Sequence, residues 1–315
     1  MQLARTVFMF SGQGSQYFQM GRQLYDSHSV FRHWMTCLDR LAQRLTGVAI
    51  VDTIFSAPLA DHFERTLHTH PAIFMTEYAL AQCLLSERVE PDLMLGSSLG
   101  SFAAAACSGG LDVEDALVAV IEQAQGFEAS CARGGMIAVL ASRTLFEDGP
   151  LAAFGELAAD NFATHFALAA PDAQLPKIES LLRARDISHL RLPVSFAYHS
   201  RWIAPAQARF ERYMQTVPSG SPALPMVCCA QATVLDNLPD GFFWRAVREP
   251  IRLRDTIERL ELTGTFRYID VGPSGTMATF VKYALPAESA STVHAVLTPY
   301  GRDLENLAAL RVLAG

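Results

Sequence analysis

Residues 93–107 constrain this 315-residue chain more than any other stretch. A short apolar run, Leu93-Met94-Leu95, meets Gly96-Ser97-Ser98-Leu99-Gly100, and a small-residue segment of helical character follows at 102–107. Strand, Gly-x-Ser-x-Gly and helix in that order make a nucleophile elbow. The glycines let a tight backbone pass its neighbours while the central residue, Ser98, is held at a helix N-terminus. The rest of the chain alternates short β-rich runs with longer helical ones, which predicts an α/β fold.

The first strand is expected at 6–10, running into Ser11-Gly12-Gln13-Gly14-Ser15-Gln16, a loop whose glycines free backbone N–H groups to point at a ligand. Helices are expected over 20–26, 30–45, 71–86, 113–129 and 255–262, and the strand before the elbow over 93–95. The middle of the chain has a different texture. Strands at 135–141, 162–170 and 188–192 around a helix at 171–185 suggest an inserted α+β lobe. The chain returns from it through Pro193-Val194-Ser195-Phe196-Ala197-Tyr198-His199-Ser200. A second return strand, 266–271, ends at Gly272-Pro273-Ser274-Gly275, and both returns bring polar residues to strand ends, where open α/β sheets place ligands.

Composition narrows the class. Half the residues are hydrophobic and 18% are charged, which excludes a disordered chain, and a net charge of −7 leaves no nucleic-acid footprint. The first ten residues lack a secretory pattern, and the longest uncharged stretch, 93–111, is too rich in Gly and Ser for a membrane span. A cytoplasmic protein is expected. The six cysteines, at 37, 83, 107, 131, 228 and 229, show no Cys-x-x-Cys pairing and read as mostly reduced core residues. His68-Thr69-His70 has poor spacing for a metal on a helix and no acidic partner nearby, so no metal is expected.

A serine hydroxyl is a weak nucleophile until a neighbour takes its proton. His199, at a strand end beside Ser200, is the best-placed base, while His28, His33, His62 and His294 lie in helical or terminal contexts. Pattern alone leaves His199 equally open as a loop histidine without a catalytic part.

Several ordered motifs together resemble the malonyl-CoA:acyl carrier protein transacylase family, which includes the acyltransferases of polyketide synthases. They are residues 8–16, His70-Pro71-Ala72-Ile73-Phe74, the elbow, residues 193–200, Arg248-Glu249-Pro250-Ile251-Arg252, and Asp270-Val271-Gly272-Pro273. The resemblance implies an α/β-hydrolase-like large subdomain, placed at 1–130 and 199–315, with an inserted ferredoxin-like small subdomain at 131–198. It implies that Ser98 attacks an acyl thioester, that His199 moves the proton, and that the N–H groups of Gln13 and Leu99 form the oxyanion hole. No cofactor is implied. The acyl pocket is expected to include Ser97, Gln123, His70, Phe196 and Tyr198.

The chain departs from the family pattern in telling places. The family elbow usually reads Gly-His-Ser-Leu-Gly-Glu, and here Ser97 and Ser101 replace the histidine and the glutamate. The Asn or Gln that commonly orients the histidine, four positions before the proline of Arg-Glu-Pro, is Ala246, which leaves a backbone carbonyl for that job. The arginine that grips the carboxylate of malonyl units corresponds to Gln123, which borders the apolar stripe Val113, Ala116, Val120 and Phe127. The competing alignment makes Gln123 a surface residue and passes the task to Arg133, out of helical register.

Losing that cation favours neutral acyl chains and makes water a credible acceptor. The pattern resembles a subgroup of trans-acting homologues, the acyl hydrolases, which remove stalled acyl groups from carrier proteins. The expected function is hydrolysis of acyl-S-acyl-carrier-protein thioesters through an acyl-Ser98 intermediate, proofreading a trans-acyltransferase polyketide synthase. The alternatives are an acyltransferase loading a non-carboxylated unit such as acetyl, and an inactive synthase-docking homologue. The partners implied are acyl carrier protein and polyketide synthase, with no nucleic acid and no membrane. Arg183, Arg185 and Arg191, with Arg245, Arg248, Arg252 and Arg254, are the basic clusters open to an acidic carrier, or else solvated faces and internal ion pairs.

Overall fold

The computed structural model describes residues 4–312; residues 1–3 and 313–315, the ends of the range expected for the large subdomain, lie outside the described residues. Ten strands form two sheets: β1 Arg5–Phe10, β2 Leu93–Gly96, β3 Gly134–Val139, β4 Glu156–Phe162, β5 His165–Pro171, β6 His189–Arg191, β7 Met226–Cys228, β8 Thr233–Leu235, β9 Phe266–Asp270 and β10 Thr292–Ala295.

The larger sheet runs β10-β9-β1-β2-β7-β8, parallel throughout except for the β7–β8 hairpin at its edge. β1 shows why both faces are covered. Its side chains alternate, so Phe8 and Phe10 enter the core shared with the helices Thr66–Ser86 and Gly100–Cys107, while Val7 and Met9 pack with Leu253, Ile257, Met277 and Val281 on the other face. After β1 the chain builds outward through β2 on one side, and it later returns to β9 on the other. The loops leaving β1, β2 and β9 therefore face one crevice at the point where strand order reverses.

The smaller sheet, β4-β5-β3-β6, is antiparallel. The helix Leu175–Arg183 covers one face by packing Leu175, Ile178 and Leu182 on Ile137, Val139, Phe166 and Leu168. The alternate residues, including Met136, Ala159 and Ala167, turn toward the larger unit. Backbone bonds between Asp160 and Ile251, and between Ile251 and Ala158, fasten the two units together. Asp160, its side chain 5% exposed, adds ion pairs to Arg143 at 3.1 Å and Arg254 at 3.2 Å. The expected mixed α/β body with a small α+β lobe is what the structure contains.

Several expected elements needed correction. The helix assigned to 71–86 begins at Thr66 and holds Pro71 inside. Pro71 lies early enough that its missing N–H costs one bond near the first turn. The strand expected over 162–170 is β5, His165–Pro171, and β4, Glu156–Phe162, which pairs with it as a hairpin, went unread. The helix expected over 171–185 starts at Leu175 because Pro171 closes β5. β7, β8 and β10, of three or four residues each, are too short to show alternation, and the helices Phe242–Arg248 and Thr276–Ala284 went unread.

Both elbow glycines are sterically required. A Cβ at Gly96 would stand 2.5 Å from the Cα of Ser101, and one at Gly100 would overlap the carbonyl oxygens of Phe10 and Ser11. Gly100→Ala is expected to cost at least about 3 kcal/mol, lowering the thermal midpoint by about 6 °C or more. A thermal unfolding scan showing an unchanged midpoint would contradict this packing.

Candidate active site

Ser98 sits in the turn between β2 and the helix Gly100–Cys107 with φ +55°. A left-handed serine costs on the order of 1–3 kcal/mol and persists only where the surroundings impose it. The two flanking glycines and the Gly12 backbone, whose added Cβ would stand 3.0 Å from Ser98 Cβ, supply that imposition. His199 is the second strained residue, with φ +59°, and its N–H is held by the Val247 carbonyl at 3.1 Å.

The two meet. His199 Nε2 lies 2.9 Å from Ser98 Oγ, and Nδ1 lies 2.7 Å from the Glu249 backbone oxygen. A carbonyl oxygen only accepts, so Nδ1 carries the proton, and Nε2 of the neutral ring is left to accept from the Ser98 hydroxyl. Ala246, on the helix Phe242–Arg248, contributes nothing polar, and the backbone carbonyl of Glu249 orients the imidazole instead. Burial pushes the His199 pKa down to about 4; the Glu249 carbonyl opposes this and the Arg248 guanidinium adds to it.

Gln13 crosses above this pair. Its side chain is clamped, with Nε2 donating to Thr69 Oγ1 at 2.7 Å and Oε1 facing His70 Nδ1 at 3.0 Å. No hydrogen bond among the described residues uses the backbone N–H of Gln13 or of Leu99, so both donors beside Ser98 remain available. Unused backbone donors of this kind are what an oxyanion hole is built from.

Between the two sheets a cleft of about 280 Å³ opens onto Ser98 and His199. Ser97, Gln13 and Tyr198 line it, and its walls include Met136, Leu192, Ile251, Met277 and Phe280. No arginine or lysine lines it among the described residues. Three residues expected on the wall stand elsewhere. His70 is behind Gln13, packed against Phe127 and Tyr198, with burial pushing its pKa down to about 3. Phe196 borders a different cavity, with Arg65 and Arg133. Gln123 is 1% exposed on the helix Val113–Ser130 and outside the cleft lining, and neither polar atom of its amide has a hydrogen-bond partner. Its burial settles the alternative that made it a surface residue.

Sequence reasoning missed Asn161 and His165, joined at 3.0 Å on the β4–β5 hairpin, and Met277 and Phe280, from the unread helix after β9. Their approach is set by how the two units pack, for which the local pattern held no signal. Glu77 did have one: it is the single charged residue in the helix Thr66–Ser86. His68 and His70 face apart, toward Arg65 and Gln13. Among the described residues no cluster of three or more His, Cys, Asp or Glu is placed to hold a metal, all six cysteines are free, and no helix is long and apolar enough to cross a membrane.

A family model described as acyl transferase domain matches residues 7–315. The chain is 41% identical over 304 residues to the polyketide biosynthesis acyltransferase homolog PksD of Bacillus subtilis, covering 96% of this chain and 94% of that one. Among solved structures, the acyltransferase domain from the second module of the salinomycin polyketide synthase superposes with a TM-score of 0.86 at 28% identity, over 98% of this chain and 72% of that one. An MCAT from Streptococcus pneumoniae superposes with a TM-score of 0.80 at 25% identity, over 98% and 100% of the two chains.

The depressed His199 pKa has a direct kinetic consequence. The ring is competent when neutral, so Ser98 reactivity is retained at every pH well above about 4 and falls only as pH drops through that value. Labelling of Ser98 by a fluorophosphonate probe should change less than about twofold between about pH 7.5 and about pH 5.5. A roughly tenfold fall over that range, as an ordinary histidine gives, would contradict the placement.

Proposed function

This chain belongs to the acyl transferase domain family, and from that premise we propose that it cleaves neutral acyl thioesters through an acyl-Ser98 intermediate, with water as the final acceptor. Ser98 Oγ forms a bond to the thioester carbonyl carbon while His199 Nε2 takes the hydroxyl proton. The N–H groups of Gln13 and Leu99 receive the oxyanion. Collapse breaks the C–S bond, and His199 returns the proton to the leaving thiolate. Water then repeats the sequence on the acyl-serine, releasing a carboxylic acid and restoring the Ser98 hydroxyl.

One observation carries the choice of acyl group: the cleft that meets Ser98 is lined by apolar side chains and neutral polar groups, without a cation. A malonyl carboxylate entering it loses water and finds no charged partner, and Gln123 occupies the position of the gripping arginine in the family pattern. A hydrogen bond to a charged group is worth roughly 1.5–3 kcal/mol, so carboxylated substrates lose about ten- to more than a hundredfold. Water as acceptor follows from the same loss. A loading enzyme must select its extender unit, whereas an enzyme that clears stalled neutral chains from carrier proteins needs no such grip. This suits a proofreading role in polyketide biosynthesis, the setting named for the PksD relative.

An acidic carrier would dock through whatever positive surface is left. Arg191, Arg252 and Arg254 are engaged by Glu179, Asp255 and Asp160, and Arg245 donates to the Asp240 carbonyl. Arg183, Arg185 and Arg248 make no ion pair among the described residues, and they are the proposed contacts.

The test is a panel of acyl-carrier-protein thioesters scored for free acid and free carrier. Acetyl and longer neutral chains should be released at least about tenfold faster than malonyl. Release should slow as salt rises, and Gln123→Arg should narrow the gap to malonyl. Rapid passage of the acyl group to a second carrier with little free acid would replace the hydrolase with a loading acyltransferase. No turnover of any thioester would leave the inactive docking homologue.

A further inference from the structure

The loop that carries Gln13 begins at Ser11, and Ser11 is pinned from beneath. Its N–H donates to Glu77 Oε1 at 2.6 Å, and its hydroxyl lies 2.8 Å from the same oxygen. Glu77 is fully buried, on the same face of the helix Thr66–Ser86 as His70, which stands two turns earlier and holds the Gln13 side chain. One helix thus grips the loop at both ends of the Ser11–Gly12–Gln13 step. The space around Ser11 is closed on its other side by Gly272, where a Cβ would overlap Ser11 Oγ.

We propose that Glu77 is a positioning residue of the acyl-transfer site: its buried carboxyl fixes Ser11 and thereby aims the Gln13 N–H at the oxyanion formed on Ser98. This rests on the acyl-Ser98 reading given above. The neutral form follows from the surroundings. Two elements bring titratable groups to Glu77, β9 with the buried Asp270 and the helix Gly100–Cys107 with Cys107. None of these groups is a cation, and Glu77 makes no ion pair among the described residues. Burial, with Asp270 adding to it, raises the Glu77 pKa well above the ordinary carboxylate range. The two hydrogen bonds that Oε1 accepts from Ser11 pull the other way, and burial outweighs them; Oε2 has no hydrogen-bond partner among the described residues. A carboxylate in this position would also repel the negative charge that the loop has to receive.

Glu77→Gln keeps the accepting oxygen and cannot ionise, whereas Glu77→Leu keeps the volume and loses the acceptor. The readout is the rate of Ser98 phosphonylation by a fluorophosphonate, whose phosphoryl oxygen occupies the oxyanion site whatever the natural acceptor, followed beside thermal unfolding of each variant. Glu77→Gln is expected to label within about threefold of the wild type. Glu77→Leu should label about ten- to a hundredfold more slowly, through the maximal rate and not through probe affinity, as a displaced oxyanion donor does. Should Glu77→Leu not fold, Ser11→Ala, which removes one of the two bonds, is expected to slow labelling by about threefold or more. Wild-type labelling by Glu77→Leu, or by Ser11→Ala where Glu77→Leu does not fold, would overturn the proposal. So would a Glu77→Gln variant as slow as Glu77→Leu. Failure of the wild type itself to label at Ser98 would instead remove the acyl-serine reading beneath it.

Discussion

The helix after the elbow starts so close to the end of β1 that Gly100 touches the carbonyls of Phe10 and Ser11, and much of the site depends on that contact. It places the β2 turn directly against the loop leaving β1. Ser98 and Gln13 thereby come together from positions 85 residues apart in sequence, and Ser97 N–H bonds to the Phe10 carbonyl at 2.9 Å across the seam. Gly272, at the end of β9, packs on the same Ser11. Three strand ends converge on one serine, and the strained φ of Ser98 persists because the flanking glycines and the Gly12 backbone crowd it.

Burial then sets the charge of the site. His199 and His70 are held neutral by desolvation, Asp270 is pushed up to about 7, and Glu77 rises well above its ordinary range. No arginine or lysine lines the cleft wall among the described residues, and the Arg248 guanidinium, which acts on His199, stands outside that lining. On the proposed reading, such a site favours a neutral acyl chain and receives the transient oxyanion on backbone dipoles fixed during folding. The same economy explains why a backbone carbonyl, Glu249, suffices to orient His199 where a side-chain amide is absent.

The elbow was legible because its requirements are local: two glycines, a serine and a strand-to-helix change within a few residues. His199 could be nominated from the polar cluster it shares with Ser200, although no strand leads into it because β6 ends at Arg191, and its contact with Ser98 spans 101 residues and emerged only from the assembled sheets. The lobe between β2 and β7 was visible as a change of texture, yet β4 went unread because Asp160 and Asn161 interrupt the apolar pattern of Glu156–Phe162. Pocket lining was the weakest inference. His70 and Phe196 sit beside pocket residues in sequence and behind them in space, while Met277 and Phe280 come from a helix that a nine-residue segment does not announce. Glu77 shows the reverse, since a lone acid in an apolar helix is a readable anomaly, and its partner Ser11 is recoverable only from the fold.

The central claim is that Ser98 carries the acyl group during turnover. Mass spectrometry of the protein quenched seconds after mixing with a neutral acyl-carrier-protein thioester tests it most directly. The account predicts a mass gain equal to the acyl group on the peptide containing Ser98, absent in Ser98→Ala and decaying in wild type as free acid appears. The same adduct on Ser98→Ala, or turnover of the thioester with no adduct on wild type at any time, would contradict it.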